Sequence, residues 1–280
     1  MTDMSLKAKI RNIAKEKNIS AQAVLQNYLM NRFLYRLSLT EYKEKFVIKG
    51  GMLIASIIGL EHRATMDLDT TLRNLPLTES SIRKAFESVC SVPSDDGITF
   101  SYDYIAPIRD DDEYGGYRVS FSAQFGKINA PMSMDVSTGD VITPGAAKNR
   151  FSDILEDSLS FELWSYPIET VLAEKVETIL SRGVDNTRPR HFYDVYMLSA
   201  LNYDSKMFRE AFIATASHRE SLEKISDSEG IIHIISESPE MNRRWENYVR
   251  QMPYAKGISF ADTTCAVRNV LQSMDTMYSE

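Results

Sequence analysis

The first sixty residues follow a helical pattern of apolar positions that one short strand interrupts. Residues 5–18 are predicted to form a basic helix, and a second amphipathic helix follows it. The apolar run 46–48 predicts a strand that ends at the pair Gly50-Gly51, and residues 52–59 predict a buried helix directly after these glycines. The chain therefore passes from a strand into a helix through two adjacent glycines.

The middle third of the chain alternates between apolar and polar residues with a period of two, as strands do. The predicted strands cover residues 65–72, 99–106, 118–125 and 131–136. An acidic stretch, 110–116, is predicted to be a solvated turn between two antiparallel strands. This third of the chain is expected to supply most of a sheet.

From Pro167 onward the pattern is helical. Helices are predicted over residues 168–182, 190–201, 240–250 and 261–278, with Asp204 as the cap of another helix. Strands followed by a run of helices indicate an α+β protein. We predict a small mixed-sheet domain with N-terminal helices over residues 1–160 and a helical domain over residues 161–280.

Composition excludes several classes of protein. The 280 residues are 43% hydrophobic and 25% charged, as in ordinary folded domains, and their net charge of −7 gives no overall attraction to nucleic acid or anionic membranes. A local basic patch could still bind RNA. Cys90 and Cys265 stand apart and are interpreted as reduced thiols. The charged N-terminus is not a signal peptide and no long apolar run is present, so we expect a cytoplasmic protein without a membrane span.

Two carboxylates lie two residues apart in the predicted strand over 65–72. Because alternate residues of a strand face the same side, Asp67 and Asp69 are expected to point the same way. A divalent cation relieves the repulsion between them, and Mg²⁺ prefers one or two carboxylates together with substrate phosphates. Asp135, on another predicted strand, could be a third ligand or could support the other two. We predict a magnesium site at Asp67, Asp69 and Asp135.

The Gly50-Gly51 turn is a second candidate element. Bare main-chain amides at the start of a helix, helped by the helix dipole, can bind a triphosphate. Taken alone, the two glycines can be a plain turn, and Asp-Leu-Asp can be a solvated sheet edge. Arg63 can either neutralise the carboxylates or contact a nucleotide. The four histidines show no metal-ligand spacing and are interpreted as structural or surface residues.

The order of these features resembles the polymerase-β-like nucleotidyltransferase superfamily: a strand, Gly-Gly, a helix, Asp-x-Asp, and a later strand acid. Fifteen residues separate Gly51 from Asp67, which is slightly long for that superfamily. The longer motifs are similar to the AbiEii-type toxins, the nucleotidyltransferases of type IV toxin–antitoxin systems, first named for abortive phage infection. These motifs are FVIKGG at 46–51, RATMDLD at 63–69, IETVLAEK at 168–175 and RHFYD at 190–194.

The resemblance implies roles for individual residues. Thr65 falls where the family has Ser or Thr before the first acid, and Asp67 and Asp69 fall on its metal-binding pair. Lys175 falls on a helix lysine, and Asp194 on the aspartate of the next helix motif. The implied nucleotide-binding residues are Gly50, Gly51, Thr65 and Lys175, and the implied catalytic residues are Asp67, Asp69, Lys175 and Asp194.

The two helix residues have ordinary alternatives. Lys175 is a compact cation suited to phosphate oxygens, but it could also pair with an acid such as Glu169 on its own helix. Asp194 could orient Lys175 or accept a proton from an attacking hydroxyl. It could also simply pair with Arg190, one helical turn earlier. Arg188 and Arg190 could hold phosphate or nucleic acid.

The resemblance also implies an activity and partners. A Mg²⁺-dependent toxin would move a nucleoside monophosphate from an NTP to RNA, with the tRNA acceptor end as the favoured target, and so block translation, growth and phage propagation. A separately encoded antitoxin with a winged-helix DNA-binding part would accompany it without needing a direct complex. Two alternatives stay open: a nucleotidyltransferase acting on a protein or small molecule, and a non-catalytic nucleotide-binding module.

Overall fold

The computed structural model describes residues 2–108, 115–156 and 158–274. The chain forms two compact units, one of Met1–Asp140 with Ala147–Ser165 and one of Val141–Ala146 with Tyr166–Glu280. In the described ranges, the first unit carries a seven-stranded sheet with four α-helices and the second carries six α-helices. The predicted α+β class is confirmed. None of these helices is long and apolar enough to cross a bilayer.

The first unit contains the elements up to the end of the sheet. Its helices are α1 (Asp3–Glu16), α2 (Ala21–Ser38), α3 (Gly50–Ile58) and α4 (Glu79–Cys90). Its strands are β1 (Phe46–Lys49), β2 (Leu68–Leu72), β3 (Ile98–Pro107), β4 (Gly116–Phe125), β5 (Ile128–Thr138), β6 (Ala147–Ser152) and β7 (Ser160–Ser165). The predicted acidic turn falls mainly on residues 110–114, which lie outside the described ranges.

The sheet is mixed, with the strand order β3-β4-β5-β2-β1-β7-β6. Strand β2 is antiparallel to β1 and parallel to β5, which places it near the centre of the sheet. Strand β1 also pairs in parallel with β7. The sequence pattern did not predict β6 and β7, because β6 is largely polar and exposed and β7 is only six residues long.

One face of β3, β4 and β5 is covered by helices. Phe33 of α2 and Phe86 of α4 each lie 5.0 Å from the ring of Phe121 of β4, measured between centroids. Phe100 of β3 completes this aromatic cluster, and each such ring contributes a large apolar area to the core. Alternate residues of β4 and β5 point to the other face, which is polar and partly exposed.

The second unit is helical. It contains α5 (Ile168–Arg182), α6 (Pro189–Ser199), α7 (Ser205–His218), α8 (Ser228–Glu237), α9 (Pro239–Gln251) and α10 (Phe260–Gln272). Asp204 caps α7 by accepting two main-chain hydrogen bonds, as predicted. Helix α8 was not predicted, and the predicted continuation of the last helix to residue 278 extends outside the described ranges.

Candidate active site

Four charged residues stand side by side across the centre of the sheet. Lys49 of β1 is paired in register with Asp69 of β2, Asp69 with Asp135 of β5, and Asp135 with Arg118 of β4. Residues in register on neighbouring strands point to the same face. The row therefore carries two adjacent carboxylates with a cation at each end, on the polar face of the sheet.

Gly50 lies directly against Asp69. Its φ of +63° is left-handed, which only glycine adopts without strain, and a Cβ atom built at this position would stand 1.9 Å from Asp69 Oδ2. Any side chain here would have to displace the carboxylate. The turn at the end of β1 is thus shaped by glycine so that the start of α3 can approach Asp69.

Gly51 likewise leaves room for the close approach of the loop before β2. A Cβ atom at Gly51 would stand 2.5 Å from Thr65 Oγ1. The Thr65 hydroxyl donates to the carbonyl oxygen of Asp67 at 3.2 Å and lies 3.4 Å from the Asp67 amide. This local hydroxyl turn fixes the backbone that presents the first carboxylate. The structure thereby gathers the predicted residues Gly50, Gly51, Thr65, Asp67 and Asp69 in the first unit.

Asp67 comes just before β2 rather than within it, because the strand begins at Leu68. Its side chain is exposed, and its Oδ1 atom accepts a hydrogen bond from the Ser133 hydroxyl of β5 at 3.3 Å. Ser133 is two residues from Asp135, on the same face of β5. Asp67 therefore points toward the polar face that carries Asp69 and Asp135.

Asp135 is held by Arg118. Arg118 Nε and Nη2 each donate to one oxygen of this carboxylate at 2.7 Å, in the two-pronged geometry of a strong arginine–carboxylate pair. In the described part of the chain, no three His, Cys, Asp or Glu side chains are gathered as a metal-binding group. Asp67 and Asp69 fit Mg²⁺, since that ion binds one or two carboxylates together with substrate phosphates. The role of Asp135 stays a prediction.

The first turn of α3 faces the same end of β1. Lys49 occupies the N-cap position with no capping hydrogen bond from its side chain; its ammonium group instead contacts Asp140 and lies 2.9 Å from the Ser137 hydroxyl. Helix N-termini carry a partial positive charge and amides that bind phosphate. Helix α3 has nine residues and begins beside Asp69, and its use as a triphosphate-binding element stays a prediction.

Lys175 and Asp194 form an ion pair inside the second unit. Lys175 Nζ of α5 lies 2.8 Å from Asp194 Oδ2 of α6, and the exposed fractions of the two side chains are 13% and 0%. Glu169, the alternative partner of Lys175, accepts the main-chain N–H of Asp204 at 2.9 Å. A surface pair with Arg190 does not describe Asp194, because its carboxylate is fully buried while Arg190 is exposed.

His191 is buried beside this ion pair. Burial lowers its pKa well below the ordinary value, the positive charge of Lys175 lowers it further, and Asp194 acts in the opposite direction. The imidazole is therefore neutral near pH 7. The interpretation of the histidines as structural or surface residues fits the burial of His191, although its electrostatic interaction with Lys175 and Asp194 was not foreseen.

Sequence reasoning missed Arg118 as a partner of the acids. Arg118 lies in a predicted strand, but only the register between β4 and β5 places it opposite Asp135. The motif at 190–194 contains His191, yet nothing in its spacing indicates that the imidazole is buried. A signal for Arg118 was available in principle: it is the one basic residue in the otherwise uncharged strand pattern of 116–125.

Three solved structures that the chain resembles are distant from it in sequence. A candidate nucleotidyltransferase from H. pylori is 17% identical, with 92% of this chain and 99% of that chain covered and a TM-score of 0.49. JHP933 from Helicobacter pylori is 16% identical, with coverages of 92% and 96% and a TM-score of 0.48. An antigenic nucleotidyltransferase-like protein from Paracoccidioides brasiliensis is 12% identical, with coverages of 86% and 93% and a TM-score of 0.34. No curated protein matches the chain.

The family comparison is decisive. The model of the family described as "Nucleotidyl transferase AbiEii toxin, Type IV TA system" matches residues 32–265, which include all the predicted site residues. This confirms the resemblance that the four motifs indicated. The chain belongs to the AbiEii toxin family of nucleotidyltransferases from type IV toxin–antitoxin systems.

Proposed function

We propose that this protein transfers a nucleoside monophosphate from an NTP to RNA, in a reaction that depends on Mg²⁺. The observation that carries the proposal is the contact between Gly50 and Asp69, where the missing Cβ leaves room for the carboxylate beside the first turn of α3. A helix N-terminus suits the phosphates of a nucleotide, and adjacent carboxylates suit the cation that accompanies them. The two elements meet within one unit of the chain.

The chemistry is an in-line displacement at the α-phosphate. The acceptor hydroxyl gives up its proton to solvent as its oxygen forms a new bond to the α-phosphorus, the bond from that phosphorus to the oxygen bridging the β-phosphate breaks, and pyrophosphate leaves. Amides of the α3 start would hold phosphate oxygens, while Asp67 and Asp69 would hold Mg²⁺. When bound there, the ion neutralises the charge that develops on the phosphates and lowers the pKa of the attacking hydroxyl.

Thr65, Lys175 and Asp194 have supporting roles in the proposal. Thr65 fixes the main chain of Asp67 through its hydroxyl. Lys175 is assigned to nucleotide phosphates by its place in the family motif, and the ion pair with Asp194 supports a positioning role for that aspartate. Both helix assignments stay predictions until the variants are measured.

The acceptor is proposed to be RNA, with the tRNA acceptor end as its preferred site. Nucleotide added there would prevent aminoacylation and stop translation, which accounts for a toxin that arrests growth and limits phage. Family membership implies an NTP substrate and an antitoxin partner. We propose that the antitoxin is separately encoded, carries a winged-helix DNA-binding part and acts without a stable complex.

The test is transfer of label from each of the four α-labelled NTPs in the presence of Mg²⁺, total cellular RNA and a protein extract. Label in the tRNA band supports the proposal. Label in protein or in a small molecule would show that the acceptor is not RNA. If no acceptor were labelled, the protein would be a non-catalytic nucleotide-binding module. Chelation of divalent ions followed by addition of Mg²⁺ should abolish and restore the transfer. Asp67→Ala protein, checked by circular dichroism, controls for contaminating transferases.

A further inference from the structure

Helix α1 carries a row of cations on its outer face. Lys7, Arg11 and Lys15 recur every fourth residue, so they lie about 6 Å apart along the helix axis, one above the other. All three side chains are exposed, and no residue in the described ranges gives them a hydrogen bond or an ion pair. We call these three residues the α1 cation stripe.

The stripe carries a small energetic cost for the helix. Like charges at i and i+4 destabilise a helix by roughly 0.2–0.5 kcal/mol per pair, although the helix dipole favours the one cation in the last turn, Lys15. The chain as a whole has a net charge of −7, so the stripe is a local departure from its surroundings. A partner with closely spaced negative charges would offset this cost.

The helix connects two places in the first unit. Near its start, Asp3 accepts the main-chain N–H of Lys127, in the turn between β4 and β5, at 2.6 Å. Just beyond its end, Lys17 forms an ion pair with Glu61 at 2.8 Å. Glu61 lies in the loop that leads to Asp67, six residues before it, which limits their separation to roughly 20 Å of extended chain. The C-terminal end of α1 is thus tied to the loop that precedes the candidate active site of the same unit.

The opposite face of α1 is already occupied. Leu6, Ile10 and Ala14 are buried, and α1 packs on α2. An amphipathic helix that binds a membrane surface must insert its apolar face among the lipids. Because that face is used within the fold, only the charged face remains for a partner. Phosphates spaced along a nucleic-acid backbone match a line of cations that has no apolar component.

We propose that the α1 cation stripe binds the sugar–phosphate backbone of the acceptor RNA and guides its end toward Asp67. This inference rests on the proposed function, since it assigns part of the surface that receives the RNA acceptor. It also explains how a protein with a net negative charge can bind a polyanion, because the RNA would contact only this narrow row of cations and not a general basic surface. Backbone contacts position the RNA without reading its sequence.

The experiment measures binding of total cellular tRNA by fluorescence anisotropy from 50 to 200 mM KCl, in an Asp67→Ala background that prevents turnover. The variant Lys7→Gln/Arg11→Gln/Lys15→Gln should bind tRNA at least about tenfold more weakly at the lowest salt. Each phosphate contact contributes about 0.7–0.9 to the slope of log affinity against log salt, so the slope should fall by about 2–3.

A matched control carries the same change in charge elsewhere. Lys84, Lys224 and Lys256 are exposed lysines outside α1, and their triple change to glutamine should keep tRNA affinity within about twofold of the parent. Both triple variants should melt normally and bind NTP like the parent protein. An equal loss in the control, or no loss in the stripe variant, overturns the proposal. So does stripe-dependent binding to phosphatidylserine vesicles in place of tRNA.

Turnover separates this inference from the proposed function. With Asp67 restored, the stripe variant should show a raised KM for tRNA and an unchanged kcat, because the stripe positions RNA and does not touch the reacting atoms. Transfer to tRNA with an unchanged KM would refute the stripe and keep the function. Stripe-dependent tRNA binding without any transfer to RNA would refute the function and keep the stripe as an RNA-binding surface.

Discussion

The two charged pairs of this protein are built in opposite ways. In the first unit, Asp67 and Asp69 bring like charges together at the exposed end of a strand, and glycine and threonine shape the backbone around them. In the second unit, Lys175 and Asp194 bring opposite charges together in the interior. One pair gathers charge that an external cation can neutralise, and the other neutralises itself.

This contrast separates two demands on a site residue. An exposed carboxylate contributes little to the fold, so its replacement should remove activity alone. A buried ion pair stabilises the fold only while both partners are present, because a single charge left in the interior is strongly unfavourable. Activity and stability should therefore respond separately in the first unit and together in the second. The following predictions test that separation.

The largest effect is expected from Asp67→Ala on transfer. The Mg²⁺ that we propose Asp67 binds would stabilise the transition state by several kcal/mol, so activity should fall about a thousandfold or more. Stability should stay within about 0.5 kcal/mol of the parent, since Asp67 is exposed. Initial rates of label transfer and a urea unfolding curve measure the two quantities.

Asp103→Ala is the matched control for Asp67→Ala. Asp103 is an exposed acid on β3 that lies 3.5 Å from a serine hydroxyl, as Asp67 does at 3.3 Å. We expect its removal to leave both transfer and stability nearly unchanged. A comparable loss of transfer in the two variants would show that Asp67 acts only through the general charge of this face.

The buried pair should respond in stability. Asp194→Asn leaves the Lys175 ammonium group 13% exposed with an amide in place of its counter-ion, and we expect a loss of about 3–5 kcal/mol in the free energy of unfolding. The double variant Lys175→Met/Asp194→Leu should lose less free energy of unfolding than the sum of the losses in Lys175→Met and in Asp194→Leu. Urea unfolding of the single and double variants gives this coupling energy.

The exposed Asp185 of the same unit provides the control, because Asp185→Asn changes an acid to an amide without burial. We expect its unfolding curve to overlay that of the parent. If Asp194→Asn unfolds at the same urea concentration as the parent yet loses transfer, Asp194 acts in catalysis alone, and the contrast between the two pairs disappears.

A glycine substitution should disturb the first pair through the backbone. Gly50→Ala incurs the cost of a left-handed φ and also drives a methyl group into the Asp69 carboxylate. Gly183→Ala shares the φ cost, with φ at +54°, but meets no atom of the described chain within 4 Å. Because its ψ of −133° lies outside the left-handed α region, we expect Gly183→Ala to lose about 1–3 kcal/mol with normal transfer.

Gly50→Ala should lose more stability than Gly183→Ala and should also lose transfer by about a hundredfold or more, because the carboxylate of Asp69, which we propose binds the metal ion, would be displaced. Unfolding curves and transfer rates of the two variants, measured together, provide the comparison. Equal behaviour of the two glycine variants would mean that the carboxylate yields easily and that the close approach of Gly50 has no functional importance.

The same contrast explains what the sequence could predict. The helical pattern of α5 and the alternation of β4 are strong because one face of each is apolar, and these two elements were found nearly in full, whereas only residues 131–136 of β5 were predicted. Strand β6 was missed because it is short, largely polar and exposed, and strand β7 was missed because its alternation extends over only six residues. Local patterns report which way a residue faces, and they do not report which distant element covers it.

The candidate residues divide along the same line. Gly50, Asp67 and Asp69 are close in sequence, so their spacing and the family motif were sufficient to propose them as a site. Asp194 was placed on the correct helix, but its burial depends on the packing of α6 against α5 and α10, which the spacing within α6 does not reveal. Arg118 and Asp135 are seventeen residues apart in the sequence. Their pairing depends on the register of the hairpin formed by β4 and β5, which the residue types alone do not determine.

A smaller effect is expected in the pH dependence of the second unit. Burial lowers the pKa of His191 well below the ordinary value of about 6.5, so the unfolded chain binds a proton more readily than the folded chain. The contribution of His191 to the free energy of unfolding is fully present above about pH 6.5. It is lost as the pH falls below that value, by at most about 1.4 kcal/mol per pH unit.

The variant His191→Gln removes this titration, so its free energy of unfolding should change less than that of the parent between pH 7.5 and pH 5.5. His233 is exposed on α8, and His233→Gln should retain the pH dependence of the parent. Urea unfolding at several pH values measures the difference. A parent-like slope in His191→Gln would assign the acid sensitivity to other groups.

The smallest effect is expected at Arg118, and it decides whether the first unit holds two metal ligands or three. Both oxygens of Asp135 are bound by Arg118, so that carboxylate resembles Asp194 more than its neighbour Asp69. In Arg118→Gln, Asp135 would stand beside Asp69 without its guanidinium partner. The added local negative charge should tighten binding of a divalent cation by roughly threefold to tenfold, about 1 kcal/mol. Calorimetric titration with Mn²⁺ in the presence of a non-hydrolysable NTP measures this affinity.

Arg83→Gln is the control, because Arg83 is equally exposed, at 54% against 53%, and pairs with Glu87 on α4. Weaker binding in Arg118→Gln alone would instead place the guanidinium on the nucleotide, and Asp135 would then be its positioning partner rather than a third ligand.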